Sequence, residues 1–174
     1  MNPGEKHRTQ DRLEVAYEQM LERVHTLLGQ PGNRVSALRR DLEQVRERAV
    51  ELGELTREEA EKVATYLERD LHDAAVFIAE TGQELHQWWR FDLEQVEERL
   101  LDMFIGVADK TSVQLRAMGE ALRRAELYSA GEVTGPGTLV CKDCGKEFHF
   151  SKAVRIGPCS DCHGKEFRRL LIDE

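Results

Sequence analysis

Four cysteines, all in the last fifth of the chain, are the residues best equipped for chemistry. They fall in two copies of one short stretch, Cys141-Lys142-Asp143-Cys144-Gly145-Lys146-Glu147-Phe148 and Cys159-Ser160-Asp161-Cys162-His163-Gly164-Lys165-Glu166-Phe167. Each reads C-x-D-C and then Gly-Lys-Glu-Phe, and the second differs mainly by inserting His163 before Gly164. The resulting C-x₂-C-x₁₄-C-x₂-C is close to the spacing of a four-cysteine zinc site. Two cysteines separated by two residues lie on one tight turn, so both thiolates can reach a single metal at about 2.3 Å. A glycine after the second cysteine permits the positive φ that closes such a turn. Two turns facing each other supply a tetrahedral S₄ cage, which zinc accepts without geometric strain.

The second copy alone, Cys159 to His163, also spells C-x-x-C-H, the spacing that attaches haem. Haem attachment uses one such pair, normally in an exported protein, and would leave Cys141 and Cys144 without a purpose. Redox C-x-x-C chemistry and an iron–sulfur cluster are the remaining readings. The paired loops favour a zinc ribbon, with one structural Zn²⁺ on Cys141, Cys144, Cys159 and Cys162 and His163 beside Cys162 as a rival ligand. Four thiolates leave zinc no open position for water or substrate, so the site is structural rather than catalytic. A module of roughly 45 residues buries too little apolar surface to fold alone. Structural zinc contributes about 10–16 kcal/mol of apparent binding energy, so metal decides whether the module folds.

What carries this module is helical. Leu13, Tyr17, Met20, Val24 and Leu27 form one apolar stripe, and Gly29-Gln30-Pro31-Gly32-Asn33 interrupts it, with Asn33 as an N-cap. Val35, Leu38, Leu42, Val45, Ala49 and Leu52 form the next, a narrow seam suited to a bundle or a coiled-coil partner. Gly53 ends that helix, and Thr56 with Glu59 opens another through a capping box. Ala60, Val63, Leu67, Leu71, Ala74 and Ile78 continue the period. After a bend or restart near Gly82 it resumes with Leu85, Trp89, Val96, Leu100, Met103 and Val107. Residues 56–127, if one continuous helix, would be on the order of 100 Å long. A chain of 174 residues stabilises that length only by folding it into hairpins or by pairing with another copy.

The texture changes near Tyr128. Residues 129–138, SAGEVTGPGT, read as a glycine-rich linker, and the remainder is β-prone, with Phe148, Phe150, Val154 and Ile156 suited to a hairpin between the cysteine pairs. The organisation is therefore a helical bundle with coiled-coil hairpins over residues 1–128, a linker over 129–138 and a small β zinc ribbon over 139–174. The net charge is −8, and Lys+Arg balance Asp+Glu from Tyr128 onward, so the excess acid lies on the helices. That balance opposes general attraction to nucleic acid or anionic membrane. MNPGEKHRTQ is not followed by an apolar core and does not read as a secretory signal. No apolar run approaches the roughly 20 residues that span a bilayer. The expected setting is the cytoplasm, where cysteines stay reduced.

Beyond the cysteines, the chain resembles the YbeL-like zinc-ribbon proteins of bacteria. The resemblance rests on Gly53-Glu54-Leu55-Thr56-Arg57, on Asp109-Lys110-Thr111, on residues 131–141 (GEVTGPGTLVC) and on the fourteen-residue gap between cysteine pairs. It covers most of the chain and is strongest after Ser129. It implies a helical N-terminal region, a C-terminal ribbon and zinc on Cys141, Cys144, Cys159 and Cys162. The chain departs from the family at Cys162-His163-Gly164, where relatives tend to have Cys-Gly directly. No activity comes with the resemblance.

Other features read as structure. The aromatic cluster from His86 to Phe91 is a core layer sooner than a docking patch. Arg123, Arg124, Lys165, Arg168 and Arg169 could touch phosphates, but acids interleave with the ribbon's basic residues, and a solvated mixed-charge face is favoured. His25, His72 and His86 read as surface or interface histidines, and Glu43 to Arg48 as a solvated face with local ion pairs. There is no Ser/His/Asp constellation or phosphate-cradling loop, so an enzyme is not expected. The expected role is a non-catalytic interaction or regulatory module with a protein partner, self-associating through its helices. The alternative is a factor whose ribbon touches nucleic acid or the transcription machinery. Because the helices hold apolar seams and no cysteine, zinc removal is expected to unfold Leu139 onward and spare most helix.

Overall fold

The computed structural model describes residues 3–30, 38–81, 98–117 and 127–170. Its helices are α1 (Pro3–Leu28), α2 (Leu38–Glu51), α3 (Arg57–Thr81) and α4 (Glu98–Ala117). The strands are β1 (Leu127–Ser129), β2 (Val133–Thr134), β3 (Gly137–Cys141), β4 (Glu147–Phe150), β5 (Val154–Arg155) and β6 (Glu166–Arg169). The protein is thus mainly α with a C-terminal β part.

The apolar stripes fold onto one another. Tyr17, Met20 and Val24 of α1, Leu38, Leu42, Val45 and Ala49 of α2, and Ala60, Val63, Leu67, Leu71 and Ala74 of α3 are all buried in a single core. Leu100 and Val107 of α4 join it, together with Phe104, which lies beside the expected stripe. Helices α3 and α4 pack side by side, so they are not successive parts of one straight rod. The seam of α2 is covered within the chain by α1 and α3. Leu52, expected to end that seam inward, is half exposed instead. It follows the last helical residue, where the chain has already begun to turn.

That turn is fixed by local chemistry. Gly53 has φ 69°, its amide donates to the Val50 carbonyl at 3.0 Å, and the Glu54 amide donates to the Ala49 carbonyl at 3.0 Å. This paired arrangement satisfies the last carbonyls of α2 and needs a residue free to adopt positive φ. Just beyond it the capping box is complete. The Thr56 amide donates to Glu59 Oε2 at 2.9 Å, and the Glu59 amide donates to Thr56 Oγ1 at 3.2 Å. Arg23 grips the intervening Glu54 with two hydrogen bonds of 2.6 and 2.7 Å, tying α1 to the turn. Asn33, Val35 and the His86–Phe91 aromatics lie outside the described residues.

The β part is a four-stranded antiparallel sheet in the order β1-β6-β3-β4, with a separate β2-β5 pair. Here the structure departs from the linker expected over residues 129–138. That segment supplies the end of β1, all of β2 and the start of β3, and residues 133–138 are buried. The glycines responsible for the linker reading serve close packing. A Cβ on Gly135 would stand 2.7 Å from Tyr17 Oη and 3.3 Å from Phe104. One on Gly137, which has φ 143°, would stand 2.2 Å from Arg169 Nη1. Val133 and Ala153 enter the helical core, and Glu14 of α1 accepts a hydrogen bond from the Arg155 amide at 2.8 Å. The β part is mounted on the helices, not hung from them.

Candidate metal centre

Each cysteine pair sits on a tight turn between strands. In the first, the Gly145 amide donates to the Cys141 carbonyl at 2.9 Å, and the Cys141 amide donates to the Lys146 carbonyl at 2.8 Å. In the second, the His163 amide donates to the Cys159 carbonyl at 3.0 Å, and the Cys159 amide donates to the Gly164 carbonyl at 2.9 Å. The two turns are therefore the same up to the fifth residue. Gly145 has φ 76°, and His163, in the matching place, has φ 59°. His163 is not inserted into the turn. It takes the glycine's conformational role, and the additional residue falls after it.

The repeat continues beneath the cysteines. Glu147-Phe148 opens β4 and Glu166-Phe167 opens β6, and the two phenylalanine rings meet edge to face, 5.7 Å between centroids and 88° between planes. Offset or edge-on aromatic contacts of this kind add to simple area burial. Phe167 also stands opposite Cys141 in the β3–β6 register. Tyr128, Leu139, Cys141, Ile156, Cys159 and Phe167 form a small core of their own, in which two members are the cysteines themselves.

Above it the sulfurs converge. Cys141 Sγ is 3.5 Å from Cys162 Sγ, Cys144 Sγ is 3.6 Å from Cys159 Sγ, and all four sulfurs lie within 4.8 Å of one another. A zinc tetrahedron with Zn–S bonds of about 2.3 Å has edges of about 3.8 Å, so the cage fits that ion. Among the described residues this is the one group of metal-competent side chains that comes together, and His163 is not in it. Cys141 and Cys159 are buried, whereas Cys144 and Cys162 are exposed.

The electrostatics call for a cation. The Cys159 sulfur accepts from the Cys162 backbone amide, and its pKa falls to about 7. Cys162 receives the Gly164 amide at 3.4 Å, yet the crowding Cys144, Cys141 and Cys159 sulfurs push it up to about 12. Four thiolates cannot share this volume as bare charges. A divalent metal removes that conflict, at the cost of releasing protons as it binds. Lys146 of the first turn adds a clasp by donating to Ser160 Oγ at 2.9 Å and to Asp161 Oδ1 at 2.5 Å in the second.

Two of the ribbon's lysines sit in surface ion pairs. Lys142 pairs with Glu166 at 3.0 Å and Lys146 with Asp161, as a mixed-charge face requires. Arg169 breaks the expectation, because its side chain is 2% exposed and faces the helices. Its Nη2 donates to Thr134 Oγ1 at 2.6 Å and to Asp70 Oδ1 at 3.3 Å, its Nε to Tyr128 Oη at 3.3 Å, and its Nη1 to the Pro136 carbonyl at 3.3 Å. Asp70, wholly buried on α3, also accepts from Tyr17 Oη and the Gly135 amide, each at 2.7 Å. Arg69 stacks 3.6 Å from the centre of the Tyr128 ring and donates to Glu132 at 2.6 Å. Burial alone would weaken the protonation of Arg169, but Tyr128 and Asp70 hold its pKa above the ordinary value. Burial, helped by Asp70, likewise raises Tyr17. Sequence reasoning does not find this network, although periodicity marks both ends. Asp70 lies between Leu67 and Leu71 on the buried face of α3, and Arg169 is two residues beyond Phe167 on one face of β6.

Residues 25–170 match a family described as a zinc-ribbon containing domain. Over 128 residues the chain is 30% identical to "Uncharacterized protein YbeL" of Escherichia coli strain K12, covering 74% of this chain and 79% of that one. The YbeL proteins of Escherichia coli O6:H1 and O157:H7 match with the same identity and coverage. No solved structure matches it significantly.

Proposed function

This chain belongs to the YbeL-like family of zinc-ribbon proteins, and from that premise we propose that it is a non-catalytic interaction module of the cytoplasm. One structural zinc ion on Cys141, Cys144, Cys159 and Cys162 sets the ribbon, and the helices present the ribbon to a protein partner. The observation that carries this reading is the convergence of four sulfurs from two matched turns. Zinc held by all four is coordinatively full, which suits a scaffold and leaves no place for a reacting water. No helix among the described residues is long and apolar enough to cross a membrane. Lys142 and Lys146 each sit beside a carboxylate on the ribbon surface, a mixed-charge face that supports a protein partner over a phosphate backbone, whose binding weakens steeply with salt.

Elemental analysis of the purified protein tests the metal part. The expected result is one zinc per chain, no iron, and no Soret band. Iron, haem or substoichiometric zinc after zinc-replete growth would count against it. For the partner part, a ribbon-directed change that keeps the metal, Lys146→Glu with Asp161→Lys, should weaken capture of a specific protein from native lysate. Salt-sensitive retention on nucleic acid instead would support the alternative factor.

A further inference from the structure

Each turn puts its first cysteine inside and its second outside, so an oxidant in solution meets Cys144 and Cys162. The inner side of the same cluster leads directly to the helices. Strand β6 begins shortly after Cys162, holds Phe167 opposite Cys141, and ends on Arg169, whose guanidinium is inserted beside Asp70 in the helical core. Gly137, the first residue of β3, backs onto that guanidinium, and Cys141 is the last residue of the same strand. Val133 and Ala153, the Arg155 amide on Glu14 and Glu132 on Arg69 hold the other face of the β part to the helices, whereas β3 and β6 reach them through Arg169. Two of the six buried residues in the small core of β3 and β6 are cysteines of the cluster.

On the reading that zinc fills the cage, we propose that the cluster is a redox latch. Two-electron oxidation by a peroxide expels zinc, withdraws Arg169 from Asp70 and undocks the ribbon from α1 and α3. The exposed Cys144 thiolate attacks one peroxide oxygen; the O–O bond breaks, hydroxide leaves and Cys144 becomes a sulfenic acid. The Cys159 thiolate, 3.6 Å away, then attacks the Cys144 sulfur. The S–S bond forms as the S–O bond breaks, and a second hydroxide leaves. The two thiolates lose two electrons and the peroxide gains them, while two protons from solvent convert both hydroxides to water. Zinc retains only Cys141 and Cys162 and dissociates. Asp70 is left as a buried charge without Arg169, and water must enter around it.

The test uses the full chain after its zinc content has been measured. Hydrogen peroxide is added while zinc release, free thiols and amide exchange are followed together. The expected result is loss of one zinc and two thiols per chain. Exchange over residues 66–75 of α3 should rise by about a hundredfold to several thousandfold, the scale of an orphaned buried charge. Reductant with added zinc should reverse all three. Zinc release with oxidised thiols but unchanged exchange in α3 would overturn the latch. So would retention of zinc and thiols under peroxide that a chelator then readily strips. A protein purified without zinc fails at the first measurement, which separates failure of the metal reading from failure of the latch.

Discussion

Arg169→Met should destabilise the whole chain, helices included, by about 3–5 kcal/mol, the usual cost of removing one partner from a buried ion pair. Typical domain stabilities are about 5–15 kcal/mol, so this is a large fraction of the total. The cost arises at Asp70, not at the ribbon surface. Asp70 is fully buried, and without Arg169 its charge keeps the Tyr17 hydroxyl, the Gly135 amide and Thr134, with Arg69 Nε 3.6 Å away and shared with Glu132. A second change distinguishes lost charge pairing from lost packing. Asp70→Asn removes the orphan charge but keeps a side chain that can accept the Tyr17 and Gly135 hydrogen bonds. It should therefore destabilise the wild type and restore part of the stability in the Arg169→Met background. Denaturant unfolding followed by helical circular dichroism gives all four corners of that cycle. Strictly additive effects would mean that the two residues do not interact as the geometry indicates.

Metal removal should have the larger effect. Structural zinc carries about 10–16 kcal/mol of apparent binding energy, comparable to or greater than the stability of a domain. Cys159→Ser removes a buried ligand, leaves three thiolates and opens a position to water, so zinc affinity should fall by orders of magnitude. Chelation and this variant should both abolish amide protection across β3, β4 and β6. Both should also lower the thermal midpoint of the helical signal, because β2, β3 and β6 cover Asp70 and part of the core of α1 and α3. This differs from the two independent modules that the sequence suggests. An unchanged helical midpoint after complete chelation would restore the independent-module reading and remove the role assigned to Arg169.

The difference between one unit and two has a physical origin. Helical stripes are written in the local order of the chain, so periodicity alone places Tyr17, Leu42, Leu67 and Leu100 inside. The same holds for the Thr56–Glu59 box and for the Gly53 stop, each settled within a few residues. The cysteines are legible because metal geometry demands a particular spacing. Pairing at a distance is not legible. Asp70 and Arg169 are 99 positions apart, and nothing in either neighbourhood names the other. Gly135 and Gly137 show a second limit. Glycine marks both a flexible linker and a place where backbone lies against another side chain, and only Tyr17, Phe104 and Arg169 decide between them. His163 shows a third. Its proximity to Cys162 suggests a ligand, whereas its positive φ shows that it closes the turn.

In the metal centre we propose, four sulfurs and nothing else hold the zinc that sets the ribbon. X-ray absorption at the zinc edge on the purified full-length protein reads that ligand set without intermediary. The spectrum should show a single shell of four sulfurs at about 2.3 Å, with no imidazole scattering. A shell of three sulfurs and one nitrogen would place His163 in the cage in place of a cysteine and contradict it, as would a site whose metal is iron.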